Sequence, residues 1–352
     1  MLAPFTTLQV GGPARYFLVA ESERELREAV DFAASKGLPL FVLGGGSNLL
    51  VADAGWPGVV IKIALRGVEI EFENGSAIFY AAAGEGWDSL VAQTVGQNCA
   101  GLECLSGIPG TVGGTPVQNV GAYGQEVSQT ITSVRALELA TGKILELSNA
   151  DCGFQYRSSI FNTIAARKFI VTEVGYRLRR GGPPTLDYAD VKNFFSGSPG
   201  IPSLTDVRDA VRQIRAGKAM LITPGDADCR SAGSFFKNPL VSVDDAERVQ
   251  AIAQKHVPGK SVPQYPAKNG QVKLSAAWLV EQAGFQKGYR QGPVAISGKH
   301  SLAIVNRGGA RASDIIALKN EIQSKVFQVW GVRLTPEPVS VGFPPDAPAA
   351  AL

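Results

Sequence analysis

The sequence predicts an α+β fold in two or three domains, on three observations. The chain has 352 residues, more than a single domain usually holds. Short strand-like segments separated by turn residues fill the chain to about residue 180, and helix-like stretches follow. With 45% hydrophobic and 18% charged residues, the composition is that of a soluble globular protein. The net charge of +3 is too small to indicate nucleic-acid binding.

The first elements are a helix and several strands. Ser22-Glu23-Arg24-Glu25 has the form of a capping box, and Gly37 marks the end of the helix. Apolar residues follow the cap at helical spacing, namely Leu26, Ala29, Val30 and Ala33. PLFVL then predicts a buried strand, GGGSN a turn and LLVAD a second strand. VVIKI, VEIEFE and AIFYAAAG predict antiparallel strands joined by turns.

The sequence pattern changes from strand-like to helix-like segments around Pro183-Pro184. A helix is predicted to begin at Ser203, with Val207, Val211 and Ile214 on one face. Further helix-like stretches lie near 244–255, 275–284 and 313–329. The last has an amphipathic stripe that predicts a core-facing helix: Ile315, Leu318, Ile322, Val326 and Val329. GVRLTPEPVSVGF predicts a closing strand that can return to the first domain, and PPDAPAAAL predicts a disordered tail.

The cysteines and the N-terminus predict a cytoplasmic protein. The cysteines at 99, 104, 152 and 229 form no CxxC pair, and no histidine lies near them with zinc spacing. Thiols in a reducing compartment are therefore expected, and no metal site is predicted. MLAPFTTLQVGG has no charged n-region or apolar h-region, and no uncharged apolar run reaches the ~18 residues of a membrane helix.

The first glycine-rich segment, LFVLGGGSNLLVAD, has the look of a phosphate-binding loop. Gly44 and Gly46 fit a GxGxxG fingerprint, but Leu49 takes the third glycine position and a strand-like run follows instead of a helix. The Walker pattern also fails, because no GK[ST] is present. What remains is a strand-turn-strand loop whose N–H groups can bind an anion with help from Ser47 and Asn48. A glycine-rich hairpin turn is the default alternative.

The second glycine-rich segment, SGIPGTVGGTPVQNVGAYGQE, is more informative. It holds six glycines between Gly107 and Gly124, and the apolar residues between them are mostly small. Such a backbone can press against a large flat ligand while its N–H groups reach phosphate or ring oxygens. A tightly packed structural loop is the alternative. Two such loops in one strand-rich region favour a dinucleotide ligand.

Taken together, five motifs resemble the UDP-N-acetylenolpyruvoylglucosamine reductase family. They are LGGGSNLL, GIPGTVGGTPVQNVGAYG, CGFQYRSSIF, SAGSFFKNP and TPEPVSVGF, in this order over nearly the whole chain. The resemblance implies a vanillyl-alcohol-oxidase-type FAD-binding fold in two α+β subdomains and a C-terminal α+β substrate-binding domain. The implied boundaries are 1–65 with 330–345 for the first FAD subdomain, 66–210 for the second, 215–328 for the substrate domain and 346–352 for the tail.

The implied activity is reduction of the enolpyruvyl ether of UDP-N-acetylglucosamine-enolpyruvate to UDP-N-acetylmuramate, a step of peptidoglycan precursor synthesis. NADPH is the implied hydride source and FAD the implied cofactor. Arg157 matches the family's arginine and suits a carboxylate, Ser234 matches the proton donor, and Glu337 matches the third catalytic position. Serine is a weak acid that needs electrostatic help, for which Lys237 is close in sequence.

The resemblance also implies the ligand contacts, carried over position by position. FAD contacts are expected at Gly44, Gly45, Gly46, Ser47, Asn48, Ile108, Pro109, Gly110, Gly113, Gly114, Gly121, Tyr123, Val171 and Arg215. Substrate contacts are expected at Tyr123, Tyr188, Lys218, Asn238 and His300, and the loop around Tyr188 indicates the subclass that has it. The chain departs from the family at Ser158, where an acidic residue is common, and at Val339, where some members have arginine.

Two other functions compete with a reductase. Many oxidases of this flavin fold attach FAD to a histidine, but the only histidines are His256 and His300, outside the expected FAD domain. FAD is therefore expected to be noncovalent. A nucleotide-sugar-binding protein without catalysis is the second alternative, disfavoured by the presence of all three catalytic positions. A monomer is expected, with small-molecule ligands and neither nucleic acid nor membrane as a partner.

Overall fold

The fold is described from a computed structural model covering residues 1–198 and 200–344, so the predicted tail at 346–352 lies outside the described residues. These residues form seven α-helices and nineteen strands. The helices are α1 (Glu23–Ser35), α2 (Trp87–Gly96), α3 (Ala189–Phe194), α4 (Leu204–Gly217), α5 (Val243–His256), α6 (Ala276–Gln282) and α7 (Ala312–Trp330). The strands are β1 (Ala14–Ala20), β2 (Leu40–Leu43), β3 (Leu49–Val51), β4 (Trp56–Ile63), β5 (Val68–Glu73), β6 (Ser76–Ala82), β7 (Cys99–Ala100), β8 (Gly121–Ala122), β9 (Gln125–Glu126), β10 (Ile131–Glu138), β11 (Ile144–Ser148), β12 (Phe169–Arg180), β13 (Leu240–Val241), β14 (Gln264–Pro266), β15 (Val272–Leu274), β16 (Arg290–Gln291), β17 (Val294–Ile296), β18 (Ile304–Asn306) and β19 (Val339–Val341).

The chain divides into two compact units. The first unit contains Ala14–Gly46 and Pro57–Leu221, and the second contains Met1–Pro13, Ser47–Trp56 and the chain from Ile222 onward. The boundaries expected from the sequence divide the chain by the ligand that each part binds, into two FAD subdomains and a substrate domain. That division stays a prediction.

The first unit is built on a six-stranded sheet in the order β11-β10-β12-β6-β5, with β7 also pairing with β12. VEIEFE and AIFYAAAG form the antiparallel pair β5 and β6, as predicted. Strand β12 places Val174, Tyr176 and Leu178 on its buried face at a spacing of two. The indole of Trp87, at the start of α2, packs against the Tyr176 ring with centroids 5.7 Å apart. Strand β12 contacts the second glycine-rich segment, since the Tyr176 hydroxyl lies 2.6 Å from the hydroxyl of Thr115.

Two strand pairings differ from the prediction. VVIKI lies in β4 and pairs in parallel with β2, although antiparallel strands were expected. LFVL and LLV do not form a hairpin, because β2 belongs to the first unit and β3 pairs in parallel with β19 in the second. Parallel partners are joined by long connections, so nothing in the local sequence reveals them. The closing segment does return to the N-terminal part of the chain, through β19.

The predicted helices are present, and their caps explain where they begin. The Ser22 hydroxyl accepts the Glu25 N–H at 3.2 Å, whereas the Glu25 carboxylate accepts the N–H of Glu21 and not that of Ser22. At α4, Ser203 and Asp206 form the full capping box. The stripe on α7 is buried at Ile315, Leu318, Ile322 and Val326, and Val329 is half-buried.

The second unit has small sheets around α5, α6 and α7. Strands β14 and β13 flank β15, and β17 lies between β16 and β18. The N-terminus of α7 is capped by a distant carboxylate, because Asp53 accepts the N–H groups of Ala312 at 2.7 Å and Ser313 at 3.1 Å. Burial raises the pKa of Asp53, but hydrogen bonds from Ser313 and Ala312 outweigh it and hold the pKa below its usual value. Within the described residues, no helix is long and apolar enough to cross a membrane.

Candidate active site

The two glycine-rich segments meet backbone to backbone in the first unit. A Cβ on Gly45 would lie 2.8 Å from the carbonyl carbon of Gly110 and 3.0 Å from the nitrogen of Thr111, and closer still to the Gly110 Cα. Only a residue without a side chain fits there. Gly46 and Gly110 also have positive φ, of 65° and 132°. The sequence thus needs glycine here to bring the backbones of the two loops side by side.

An unsatisfied hydroxyl lies at this meeting point. Thr111 Oγ1 is buried and has no hydrogen-bond partner within residues 1–198 and 200–344. A Cβ on Gly44 would lie 3.0 Å from this oxygen, so the hydroxyl faces the first loop. A buried polar atom without a partner costs free energy and needs an explanation, such as a ligand that the site is built to bind. Thr111 was not predicted as a site residue from the sequence. Its position inside the motif GIPGTVGG was the feature that could have pointed to it.

A lysine also approaches the first loop. Lys62, on β4, donates a hydrogen bond from Nζ to the carbonyl oxygen of Gly44. Burial lowers the pKa of this lysine, and the charge of Arg66 lowers it further. Lys62 was not predicted as a site residue, because it reaches the loop across a parallel strand pair.

A second cluster in the first unit joins predicted FAD and substrate residues. The rings of Tyr123 and Tyr188 meet edge to face with centroids 5.4 Å apart. Tyr123 is buried and has a φ of 48°, while Tyr188 is 46% exposed, so a buried ring packs against an exposed one. Burial raises the pKa of Tyr123 despite the nearby charges of Arg215 and Lys218.

Arg215 has a buried guanidinium, one N–H donor of which makes no hydrogen bond to the described residues. Only 7% of it is exposed, and Nη2 donates to the carbonyl oxygen of Met220 at 2.6 Å. In the described part of the chain, Nε has no hydrogen-bond partner. Burial lowers the pKa of Arg215, and the charges of Tyr123 and Asp88 oppose this. A Cβ on Gly107 would lie 3.5 Å from Nε, which places this donor beside the second glycine-rich segment.

Lys218 pairs with an acidic residue of the neighbouring helix. Its Nζ lies 2.6 Å from Asp190 Oδ2, on α3, and both side chains are about one-third exposed. Burial lowers the pKa of Lys218, but the hydrogen bond and charge of Asp190 raise it above its ordinary value. The lysine is therefore cationic at neutral pH, and a ligand phosphate would compete with Asp190 for it.

Arg157 lies at the tip of a tight turn in the first unit. Gln155 and Ser158 exchange backbone hydrogen bonds of 2.9 and 3.1 Å across this turn, and Arg157 has a φ of 54°. Its Nη2 donates to the carbonyl oxygen of Gly121 at 2.8 Å. The departure at Ser158 therefore falls on the residue that closes the turn. The positive φ is a conformation that non-glycine residues rarely adopt, which is common at functional positions.

In the second unit, the serine and histidine motifs come together. Ser234 Oγ lies 3.0 Å from His300 Nε2, within hydrogen-bond distance. The backbone between them is fixed too, since the N–H of Phe235 donates to the carbonyl oxygen of Leu302 at 2.7 Å. Both aromatic residues after Ser234 are buried and anchor its segment in the core.

Glu337 and Asn48 complete this cluster. The N–H of Glu337 donates to the carbonyl oxygen of Phe235 at 2.9 Å, so the glutamate segment runs beside the serine segment. Asn48 Nδ2 donates to the carbonyl oxygen of Glu337 at 3.2 Å, and the Val339 N–H donates to the carbonyl oxygen of Asn48 at 2.9 Å. Four motifs that are far apart in sequence thus meet in one place in the second unit.

The other predicted site residues take less distinctive positions. Asn238 Oδ1 accepts the Ala276 N–H at the start of α6 at 2.9 Å, which leaves its amide donors for another partner. The Ser47 carbonyl oxygen accepts from Thr7, and Val171 is buried in β12. Ile108 packs against the core of the first unit, Pro109 is half-buried, and the region around Gly113 and Gly114 forms a short 3-10 turn.

The fold and this site define a flavoprotein. Residues 14–148 match the family model of an FAD binding domain, and residues 224–341 match that of the UDP-N-acetylenolpyruvoylglucosamine reductase C-terminal domain. The buried Thr111 hydroxyl and the Arg215 Nε are donors without partners in the described chain, beside glycine loops that a Cβ would obstruct. Such donors suit the phosphates of FAD.

Relatives with similar sequences identify the family within the flavoproteins. The UDP-N-acetylenolpyruvoylglucosamine reductase of Thermobifida fusca is 46% identical over 97% of this chain and 96% of that protein. That of Streptomyces coelicolor is 44% identical over 97% of this chain and 89% of its own length. The crystal structure of the reductase from Thermus caldophilus aligns with a TM-score of 0.65 and 28% identity over 97% of both chains. The chain belongs to the UDP-N-acetylenolpyruvoylglucosamine reductase family. Membership confirms the predicted α+β flavoprotein fold and the predicted FAD-dependent reductase of peptidoglycan precursor synthesis.

Proposed function

We propose that this chain uses NADPH to reduce the enolpyruvyl ether of UDP-N-acetylglucosamine-enolpyruvate to UDP-N-acetylmuramate, with Ser234 as the proton donor. The observation that carries the proposal is the 3.0 Å contact between Ser234 Oγ and His300 Nε2, in the cluster that also contains Glu337. The named roles of Arg157, Ser234 and Glu337 are part of the proposal.

The reaction needs a hydride at one carbon of the double bond and a proton at its neighbour. When bound, FAD supplies the hydride that NADPH provides. Addition of the hydride drives negative charge toward the substrate carboxylate, where a planar guanidinium can bind it through two hydrogen bonds. We assign this task to Arg157, whose guanidinium is held by the hydrogen bond from Nη2 to the carbonyl oxygen of Gly121.

Ser234 can supply the proton only if its hydroxyl hydrogen points to the substrate. That requires the histidine to donate to the serine oxygen, with the hydrogen on Nε2. In this tautomer, the His300 Nε2–H donates a hydrogen bond that stabilises the negative charge formed on the serine oxygen as Ser234 gives its proton to carbon, and a proton from solvent water then restores the hydroxyl. His300 therefore takes the assisting role first assigned to Lys237. Glu337 stabilises the enol-like intermediate by hydrogen bonding.

The FAD site is proposed in the two glycine loops and around Arg215. Thr111 and Arg215 would donate to phosphate, and the glycines would let the cofactor approach the backbone. Binding is noncovalent, because neither histidine of the chain lies in the residues matched to the FAD domain. An acid precipitation that leaves flavin attached to the protein would instead support an oxidase of the same fold.

The substrate diphosphate is assigned to Lys218, Tyr188 and the amide of Asn238. Lys218 is held as a cation by Asp190 and can exchange that carboxylate for a phosphate. Tyr188 is the exposed ring of its pair and can close over the substrate. The Tyr-loop subclass, the monomeric state and a cytoplasmic location remain predictions that accompany this proposal.

The direct test is NADPH oxidation by the purified protein with the enolpyruvyl substrate. We expect oxidation of NADPH that depends on substrate, and a product heavier by two hydrogens in mass spectrometry. UDP-N-acetylglucosamine, which lacks the enol ether, is the matched control and should give no turnover. Tight binding of the enolpyruvyl substrate without any reduction would instead support a nucleotide-sugar-binding protein that has lost catalysis.

A further inference from the structure

A buried carboxylate outside the predicted site connects its two central segments. Asp228 is 4% exposed and lies six residues before Ser234. Its Oδ2 accepts the Ser297 hydroxyl at 2.6 Å and the Gly298 N–H at 2.8 Å. Arg307 Nη1 lies 2.5 Å from Oδ1 as an ion pair, although Oδ1 has no hydrogen bond among the residues described. A buried charge needs a charged partner and hydrogen bonds, and Asp228 has both.

Ser297 links the carboxylate of Asp228 to the backbone of His300. It is fully buried, and because its hydroxyl donates to Asp228, its oxygen can accept the N–H groups of Lys299 at 3.0 Å and His300 at 3.2 Å. The turn between β17 and β18 is closed by the Ser297 N–H, which donates to the Ala303 carbonyl oxygen at 2.8 Å. The backbone of His300 is therefore fixed relative to the carboxylate of Asp228.

The segment that carries Ser234 is fixed at the same point. Ser231 pairs with Val305 as an antiparallel bridge, and the Asn306 N–H donates to the carbonyl oxygen of Arg230 at 3.0 Å. Asp228 thus stands at the junction between the chain leading to Ser234 and the turn holding His300.

We propose that Asp228 and Ser297 are positioning residues for proton transfer. They connect the serine segment to the histidine turn and so maintain the hydrogen bond between Ser234 and His300. The proposal rests on the proposed function, in which Ser234 supplies the proton. Neither residue needs to contact the substrate, because each acts through His300.

The test uses Ser297→Ala, because removing Asp228 would leave Arg307 without its charge partner and risk misfolding. Ser231→Ala is the matched control: Ser231 is also buried and near Ser234, but within the described residues its hydroxyl accepts only a local N–H, from Gly233 at 3.3 Å. If Ser297→Ala does not fold, Ser297→Cys keeps the shape with a weaker hydrogen-bonding group and replaces it.

The first readout is the imidazole itself. The chain has only two histidines, His256 and His300, so NMR of protein labelled with ¹⁵N-histidine gives two ring systems, assigned with His256→Gln. We expect Ser297→Ala to shift the His300 nitrogen signals, to leave those of His256 in place, and to differ from Ser231→Ala, which should shift neither. An unchanged His300 in Ser297→Ala, or an equal change in both serine variants, overturns the proposal.

The second readout separates positioning from general loss of structure. Ser297→Ala should slow the reoxidation of reduced enzyme by the enolpyruvyl substrate about 10-fold, since small misplacements of reacting groups are costly. Reduction by NADPH should keep its rate. In a His300→Ala background the same change should have no further effect, because contributions through one shared partner are not additive. A further loss in that background contradicts the proposal.

The proposed function can fail separately. If Ser234→Ala reoxidises as fast as the wild type, Ser234 is not the donor, and the NMR result still decides whether Ser297 orients His300. If Ser234→Ala is slow while Ser297→Ala matches the wild type in both rate and His300 signals, the donor stands and the positioning proposal is wrong.

Discussion

The unsatisfied hydroxyl of Thr111 predicts that a single substitution weakens FAD binding without weakening the fold. Thr111→Val keeps the side-chain shape but removes Oγ1, the buried atom for which the described residues provide no hydrogen bond. If that oxygen is built to bind FAD, losing a hydrogen bond to a charged group costs about 1.5–3 kcal/mol of binding. At 1.4 kcal/mol for each factor of ten, FAD should bind roughly 10- to 150-fold more weakly. The protein without FAD should lose no stability and can gain about 1 kcal/mol, because a buried unpaired polar atom disappears.

Thr115→Val is the matched control four residues along the same loop. Thr115 is also buried, but its hydroxyl donates to the Val112 carbonyl oxygen at 2.8 Å and lies 2.6 Å from the hydroxyl of the buried Tyr176. Removing it should lower stability by about 1–3 kcal/mol, with little specific effect on FAD. Fluorescence titration of the deflavinated proteins with FAD, together with urea unfolding, measures both quantities. If Thr111→Val binds FAD like the wild type, or loses stability as Thr115→Val does, the assignment of Thr111 is wrong.

Three further predictions test other parts of the structure. Gly45→Ala should purify largely without FAD, because its Cβ would collide with the backbone of Gly110, whereas Gly96→Ala, with nothing within 4 Å, should stay yellow; equal flavin content in both would contradict this. Limited proteolysis near Tyr188 should slow when UDP-sugar is added, and cleavage that ignores the ligand would exclude a closing loop there. Asp53→Ala should cost about 0.5–2 kcal/mol at pH 7, since it removes the cap of α7. Because the folded pKa of Asp53 is lowered, its contribution is fully present above the unfolded pKa of about 3.9 and is lost as the pH falls through the lower folded pKa, so the difference between wild type and variant in urea unfolding should shrink steadily at successively lower pH below about 3.9.

The sequence was informative where structure depends on neighbours along the chain. Helix α1 begins after Ser22 and α4 after Ser203, because these caps act within one turn. The stripe on α7 was predicted for the same reason, since a helical period decides which residues are buried. The motifs also marked Ser234, His300 and Glu337, which lie in one cluster of the second unit.

Features that depend on distant partners could not be predicted. The parallel pairing of β4 with β2, and of β3 with β19, is decided by long connections, so the antiparallel pairing expected for VVIKI was wrong and the alternative of a hairpin at the first glycine-rich segment does not hold. Thr111 and Asp228 were missed for a related reason. Thr111 stands out because its buried oxygen has no hydrogen-bond partner among the described residues, and Asp228 because its carboxylate accepts a hydrogen bond from Ser297, 69 residues away. Composition and spacing contain neither fact.

The most direct test of the proton-donor assignment is Ser234→Ala in a stopped-flow instrument that records flavin absorbance. Reduction by NADPH needs no proton from Ser234 and should keep its rate. Reoxidation by the enolpyruvyl substrate should slow by about 10²–10⁴-fold, the usual effect of losing a general acid. If both steps slow equally, Ser234 shapes the pocket or the fold and is not the acid. If neither slows, water or Glu337 protonates the carbon, and the central claim is wrong.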